Sequence, residues 1–236
     1  MNLDCWYCIG GTNADDPVDC AKGQNIQWCD PNCPIYKNMK ANFEKSNLPE
    51  KYWSTFGLNK TKADSQAIEK ILEIKNNLAD FVASGKNILL QSSKCGNGKT
   101  SWGIRLLQKQ IELNYKGSSY NWPPAFFVYT PDLLLEARKS ITNKNGYFDS
   151  LQLVIENSPL VMFDDIGCIP LKDYDLLILS TLIEKRILKG LSCIFTTNLQ
   201  GEALKDLLGD RLYDRISKLS EVIILKSDSL RGRDGK

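Results

Sequence analysis

From residue 63 onward, apolar positions follow two alternating rhythms. Ile68, Ile71, Leu72, Ile74, Leu78, Phe81 and Val82 recur at helical spacing and predict a helix over 63–84, closed by Gly85 as a C-terminal cap. Ile88, Leu89 and Leu90 then form a short continuous apolar run, the pattern of a strand buried on both faces. Ile104, Leu106, Leu107 and Ile111 make an apolar stripe that predicts a helix over 102–113. Continuing in the same way, strands fall at 124–129, 159–165, 191–198 and 221–225, and helices near 148–157, 173–189 and 202–217. Strands alternating with helices imply an α/β fold with a parallel, doubly wound five-stranded sheet flanked by helices. Residues 34–62 read as a connector, with scattered charge at Lys37, Lys40 and Lys45 and a helix-interrupting Leu48-Pro49. Residues 139–147 form a polar stretch.

Composition narrows the class. A chain of 236 residues with 42% apolar content can bury a full core and leave a small appendage. Its net charge of +2 is nearly neutral, so a general basic coat for nucleic acid is not indicated. No run of 18 apolar residues exists, and the opening Met-Asn-Leu-Asp-Cys has neither a basic region nor an apolar core. Membrane spans and signal peptides are therefore not expected, and the chain is expected in the cytosol. Eight cysteines in a reducing compartment suggest metal or free thiols. The absence of histidine excludes histidine catalysis and histidine metal ligands.

The first chemical motif follows the strand at 87–91. Ser93-Lys94-Cys95-Gly96-Asn97-Gly98-Lys99-Thr100-Ser101 reads as a phosphate-binding loop opening a helix. Triphosphate oxygens need several main-chain N–H groups at once, at the positive end of a helix. Gly96 and Gly98 permit that close approach, Lys99 reaches the β- and γ-phosphates, and the Thr100 hydroxyl ligates Mg²⁺. Ser93 stands where the pattern has its first glycine, and serine is costlier than glycine at an unusual backbone angle.

The second motif is the apolar strand ending in Asp164-Asp165. Ligands of an open α/β sheet gather at the carboxyl ends of its strands. There Asp164 is expected to hold Mg²⁺ and Asp165 to orient or deprotonate the attacking water. Asn198, at the end of the next strand, is placed to touch the γ-phosphate or that water.

Five of the eight cysteines, Cys5, Cys8, Cys20, Cys29 and Cys33, lie within the first 33 residues. Cys5-x₂-Cys8 and Cys29-x₃-Cys33 approximate the paired spacing of a structural Zn²⁺ site, with Cys20 as an alternative ligand. Four thiolates also suit an iron–sulfur cluster. The segment has few apolar residues, so metal binding would supply its folding free energy. Trp6, Tyr7 and Trp28 are candidate docking contacts or packing around the metal.

From residue 48 to residue 231 the sequence resembles the bacterial and phage replicative helicase loaders of the DnaC/DnaI type. These share the AAA+ ATPase fold with the IstB transposition helpers. The resemblance rests on the loop at 93–100, the acidic strand at 160–167, Thr196-Thr197-Asn198, the run from Leu207 through Gly209-Asp210-Arg211 to Arg215-Ile216, and Asp228-Ser229-Leu230-Arg231. It implies an AAA+ domain over 48–236 without a lid domain, and a Cys-rich metal-binding region over 1–47 that contacts a DnaB-type helicase. It also implies that Asn198 is the first sensor and that Arg215 is an arginine finger supported by Arg211 and inserted into the ATP site of an adjacent subunit. Arg231 corresponds to a terminal arginine that senses nucleotide. Single-stranded DNA is implied along residues 133–149, where Lys139, Lys144, Tyr147 and Phe148 would supply phosphate contacts and stacking surfaces.

Asp165 departs from the glutamate most AAA+ proteins carry, which fits a slow switch better than a motor. The expected function is an ATP-dependent loader that binds a replicative helicase and places it on single-stranded DNA. Two other readings stay open: an IstB-like transposition helper, and a non-catalytic adaptor that binds the helicase with ATP as a structural ligand. Arg211 and Arg215 could also simply pair with Asp210 and Asp214 on a solvated helix.

Overall fold

A computed structural model describes residues 34–53, 61–114, 122–143 and 146–229. Five strands, β1 (Asn87–Gln91), β2 (Ala125–Tyr129), β3 (Leu160–Ile166), β4 (Ser192–Thr197) and β5 (Ser220–Ile224), form one sheet in the order β2-β3-β4-β1-β5. All four pairings are parallel, as the alternation of strands and helices requires. The order inserts β4 between β1 and β3. The phosphate loop after β1 and the acidic end of β3 therefore flank the end of β4.

Eight helices surround the sheet among the described residues: α1 (Pro34–Lys45), α2 (Ser65–Asn76), α3 (Leu78–Ala83), α4 (Lys99–Leu113), α5 (Thr130–Ser140), α6 (Tyr147–Asn157), α7 (Asp173–Leu188) and α8 (Gly201–Lys218). Alternate residues of β1 to β4 feed two separate cores. Ile88, Leu90, Met162 and Ile194 pack with α1 to α4, while Leu89, Phe163, Cys193 and Phe195 pack with α5 to α8. Sidedness follows from the period of two along a strand. It explains why the central strands read as unbroken apolar runs.

Local differences from the sequence expectation have identifiable causes. The helix expected over 63–84 is two helices, because Asn77 leaves helical geometry (φ −111°, ψ 28°) and ends α2 while preceding α3. The expected connector at 34–62 contains α1 and a 3₁₀ turn at Glu50–Tyr52. Phe43, Leu48 and Trp53, on both sides of the expected division at 47/48, lie in the same core as α2 to α4. α5 lies mostly ahead of the stretch read as polar, over residues given no element in the sequence, with Leu133, Leu134 and Ala137 buried. α8 breaks at Gly209 (φ 73°, ψ 158°), which re-aims the half carrying Arg211 and Arg215.

Arg186 on α7 is fully buried and ties three elements together. It donates to the carbonyls of Ile155 in α6, Ser158 before β3 (2.8 Å) and Ser192 in β4 (2.5 Å). Asp64 fixes the far end of the chain by accepting the main-chain N–H groups of Lys226 (2.6 Å) and Ser227 (3.1 Å). Burial pushes its pKa up, but the Ser227 side chain, the Lys226 and Ser227 amides and Thr61 outweigh that and hold it below the ordinary carboxylate value.

Candidate nucleotide site

The loop after β1 is organised from within. Ser92 is buried, and its Oγ accepts the Lys94 N–H (3.0 Å) and the Asn97 Nδ2 (2.5 Å). Gly96 (φ 77°) and Gly98 (φ 97°) supply the left-handed angles, and Gly98 caps α4. Ser93 has no such angle, so serine in place of the first glycine carries no backbone penalty here. Asn97 also donates to the carbonyl of Leu225 (3.3 Å), and Lys94 pairs with Asp228 (2.5 Å), tying the loop to the segment after β5. Cys95 and Ser101 flank this turn on the same cavity.

Lys99, in the first turn of α4, is buried, and its ammonium donates to the Lys94 carbonyl (3.1 Å) and Asn97 Oδ1 (3.2 Å). These are neutral acceptors, weaker partners for a cation than the charged oxygens of a phosphate. Thr100 donates its hydroxyl to Asp164 at 2.9 and 3.2 Å, joining the loop to the end of β3.

Asp164 and Asp165 sit in a β-bulge. Phe163 pairs with Phe195 and Ile166 with Thr197, so both aspartates stand opposite Thr196 alone. Thr196 Oγ1 donates to Asp164 Oδ1 (2.6 Å) and accepts the Asp165 N–H (2.8 Å). Asp165 takes a left-handed angle, φ 56°. The extra residue lets two consecutive carboxylates line one cavity, which a regular strand would send to opposite faces. Gly167 (φ 84°) follows against Leu207 and Leu199, with no room for a Cβ.

Burial pushes the Asp164 pKa up to about 6, and Asp165 adds to that rise. Hydrogen bonds from Thr196 and Thr100 and the charge of Lys99 oppose it. A buried carboxylate with an elevated pKa beside a hydroxyl fits a divalent cation, whose charge would restore the ionised form. Asn198 follows β4, and its Oδ1 is buried with no hydrogen-bond partner among the described residues. An unsatisfied buried acceptor carries a desolvation penalty that a bound ligand can relieve.

These groups line one cavity of about 1220 Å³, together with Tyr129 and Asp132. Its other wall is a stretch the sequence reading left as a connector, Asn47, Leu48, Pro49, Glu50, Lys51, Tyr52 and Trp53. That wall is fastened to the edge strand β2. Phe127 donates its N–H to the Ser46 carbonyl (2.8 Å), and Asn47 Nδ2 donates to the Phe127 carbonyl (2.9 Å). Trp53 donates its indole N–H to the Leu48 carbonyl (2.7 Å), and its ring stacks with Phe43. The aromatic pair beside Leu48-Pro49 was the available signal for this wall. Tyr129 was also missed, although it ends a strand on the ligand side. Burial, with Cys168 and Asp165 nearby, pushes its phenol pKa above the ordinary value.

Phe148 is buried in the core with α5 to α8, so it offers no stacking surface. Its place at the start of α6 puts it on the inward stripe. Lys139 pairs with Glu136 (2.7 Å), and Tyr147 is exposed. Arg211 and Arg215 do not line this chain's cavity, and both pair with Glu184 on α7. Asp210 and Asp214 pair instead with Lys205 and Lys218. Arg231, Lys144 and the cysteines at 5, 8, 20, 29 and 33 lie outside the described residues. No described helix is long and apolar enough to cross a membrane.

The family described as IstB-like ATP binding protein matches residues 38–236. The chain belongs to this IstB-like family. The replicative helicase loader DnaC of Escherichia coli K12 is 24% identical over 170 residues, covering 72% of this chain. Those residues span 63% of that relative's length. The crystal structure of the DnaC helicase loader superposes with a TM-score of 0.61 at 23% identity, covering 75% of this chain and 100% of that one. The crystal structure of DnaI gives 0.59 at 19% identity, covering 78% and 95%. The IstB-like chain therefore has the AAA+ P-loop fold of an ATP-binding family.

Proposed function

We propose that this chain is an ATP-dependent loader that binds a replicative DnaB-type helicase and helps place it on single-stranded DNA. The observation that carries the reading is the convergence of Lys99, Thr100, Asp164, Asp165 and Asn198 on one cavity within a DnaC-like fold. Lys99 and the amides of the loop bind the phosphates, and Thr100 with Asp164 holds Mg²⁺. The cation would neutralise phosphate charge as ATP is cleaved. Asp165 orients the attacking water and accepts its proton, and Asn198 fixes that water or the γ-phosphate. Arg215, with Arg211 beside it, enters the ATP site of an adjacent copy, so assembly completes the site. Arginine fingers of this kind contribute about 10³–10⁵ in rate. The Cys-rich segment ahead of α1 would form the helicase-contacting region, with Zn²⁺ held on Cys5, Cys8, Cys29 and Cys33 and Cys20 as the alternative ligand.

The test is ATP hydrolysis by the purified chain alone, with single-stranded DNA, and with the helicase, alongside size-exclusion chromatography and metal analysis. A stable complex, DNA-stimulated turnover and stoichiometric zinc are expected. A complex without turnover supports the adaptor reading. The family match favours a second reading, an IstB-like transposition helper. Preference for duplex DNA with no affinity for helicase supports it.

A further inference from the structure

Resting on the proposed role of Arg215, we infer that Glu184 is a positioning residue that holds this guanidinium ready for the triphosphate of a second copy of the chain. Glu184 stands on α7, and its Oε1 is ion-paired with both Arg211 Nη2 and Arg215 Nη1, each at 3.1 Å. Arg211 also reaches Oε2 at 3.3 Å, whereas Arg215 holds Oε1 only. Arg211 therefore meets both carboxylate oxygens and Arg215 one, so Arg215 can turn away while Arg211 keeps the carboxylate occupied.

Two guanidiniums on one carboxylate leave a net positive charge on this face, which suits a phosphate and not a second cation. The local carboxylates that might have neutralised it, Asp210 and Asp214, are taken by Lys205 and Lys218. The arrangement gains little stability through Arg211, whose exposed pair contributes only about 0–1 kcal/mol, while Arg215 and Glu184 are half-buried. Its effect lies in order. A free arginine side chain loses much rotamer freedom on binding, and a guanidinium already held in place loses less. The break at Gly209 and the buried Leu212 and Ile216 set the second half of α8 so that its arginines face α7.

The test is sedimentation of the full chain with a slowly hydrolysed ATP analogue, Mg²⁺ and a single-stranded oligonucleotide. Glu184→Ala is expected to weaken nucleotide-dependent self-association roughly three- to tenfold, with Glu184→Gln intermediate because it keeps an oxygen acceptor of the same size. Arg215→Ala should weaken it further, and the double substitution should be no weaker than Arg215→Ala alone. A double substitution weakened by the full Glu184→Ala factor overturns the positioning role, as does wild-type assembly by both Glu184 variants. Unchanged assembly of Arg215→Ala, or no nucleotide-dependent assembly of the unsubstituted chain, overturns the Arg215 reading and this inference with it.

Discussion

Thr196 donates its hydroxyl to Asp164 Oδ1 at 2.6 Å while the same oxygen accepts the main-chain N–H of Asp165. One side chain on β4 therefore governs both carboxylates of the neighbouring bulge. Thr196→Val keeps the shape and removes both hydrogen bonds in a buried place. Each buried polar group left unpaired costs about 1–3 kcal/mol. The expected result is a loss of roughly 2–4 kcal/mol in urea unfolding, with ATP turnover reduced. Unchanged unfolding and turnover would contradict this role of Thr196.

Lys99→Ala removes the ammonium that closes over the phosphate loop. A charge-assisted hydrogen bond contributes about 1.5–3 kcal/mol, so ATP affinity should fall roughly 10- to 100-fold. Titration calorimetry reads this directly. Affinity within twofold of the unsubstituted chain would remove Lys99 from the site.

Gly167 and Gly146 separate backbone strain from crowding. Both have positive φ, 84° and 73°, but a Cβ at Gly167 would lie 2.5 Å from Leu207 Cδ2, whereas nothing lies near Gly146. Gly146→Ala should cost about 1–2 kcal/mol from the left-handed angle alone. Gly167→Ala should cost more and should disturb Asp165 two residues away. Equal losses in thermal unfolding would show that Leu207 simply moves aside.

Acid stability tests the Arg138–Asp175 pair. The hydrogen bond from Arg138 holds the Asp175 carboxyl below the ordinary carboxylate value, against the effect of its burial. Its contribution is present above the unfolded pKa near 3.9 and is lost as pH falls through the lower folded value. Asp175→Asn should therefore be less stable at neutral pH, and the gap to the unsubstituted chain should narrow on acidification. A gap independent of pH would show that the Asp175 charge does not matter.

The sheet was legible in the sequence because strands buried on both faces read as unbroken apolar runs, and Lys99 and Asp164 were legible because their spacing carries chemistry. What the sequence hid depends on pairings between distant positions. The bulge arises only when β3 is set against β4, so Asp165 could be named without its left-handed angle. The cavity wall at 47–53 depends on an edge strand 80 residues away, as in the bond from Asn47 to Phe127. Glu184 sits 27 residues from Arg211, and neither spacing nor periodicity links them. Phe148 went the other way, since an aromatic beside exposed Tyr147 turned inward to the core.

The loader reading is tested most directly on closed circular single-stranded DNA, where a ring helicase has no end to thread. Helicase activity should appear when the chain and ATP are both present, and should be lost with Lys99→Ala. Helicase activity unaffected by the chain, with no complex between the two proteins, would contradict the loader account.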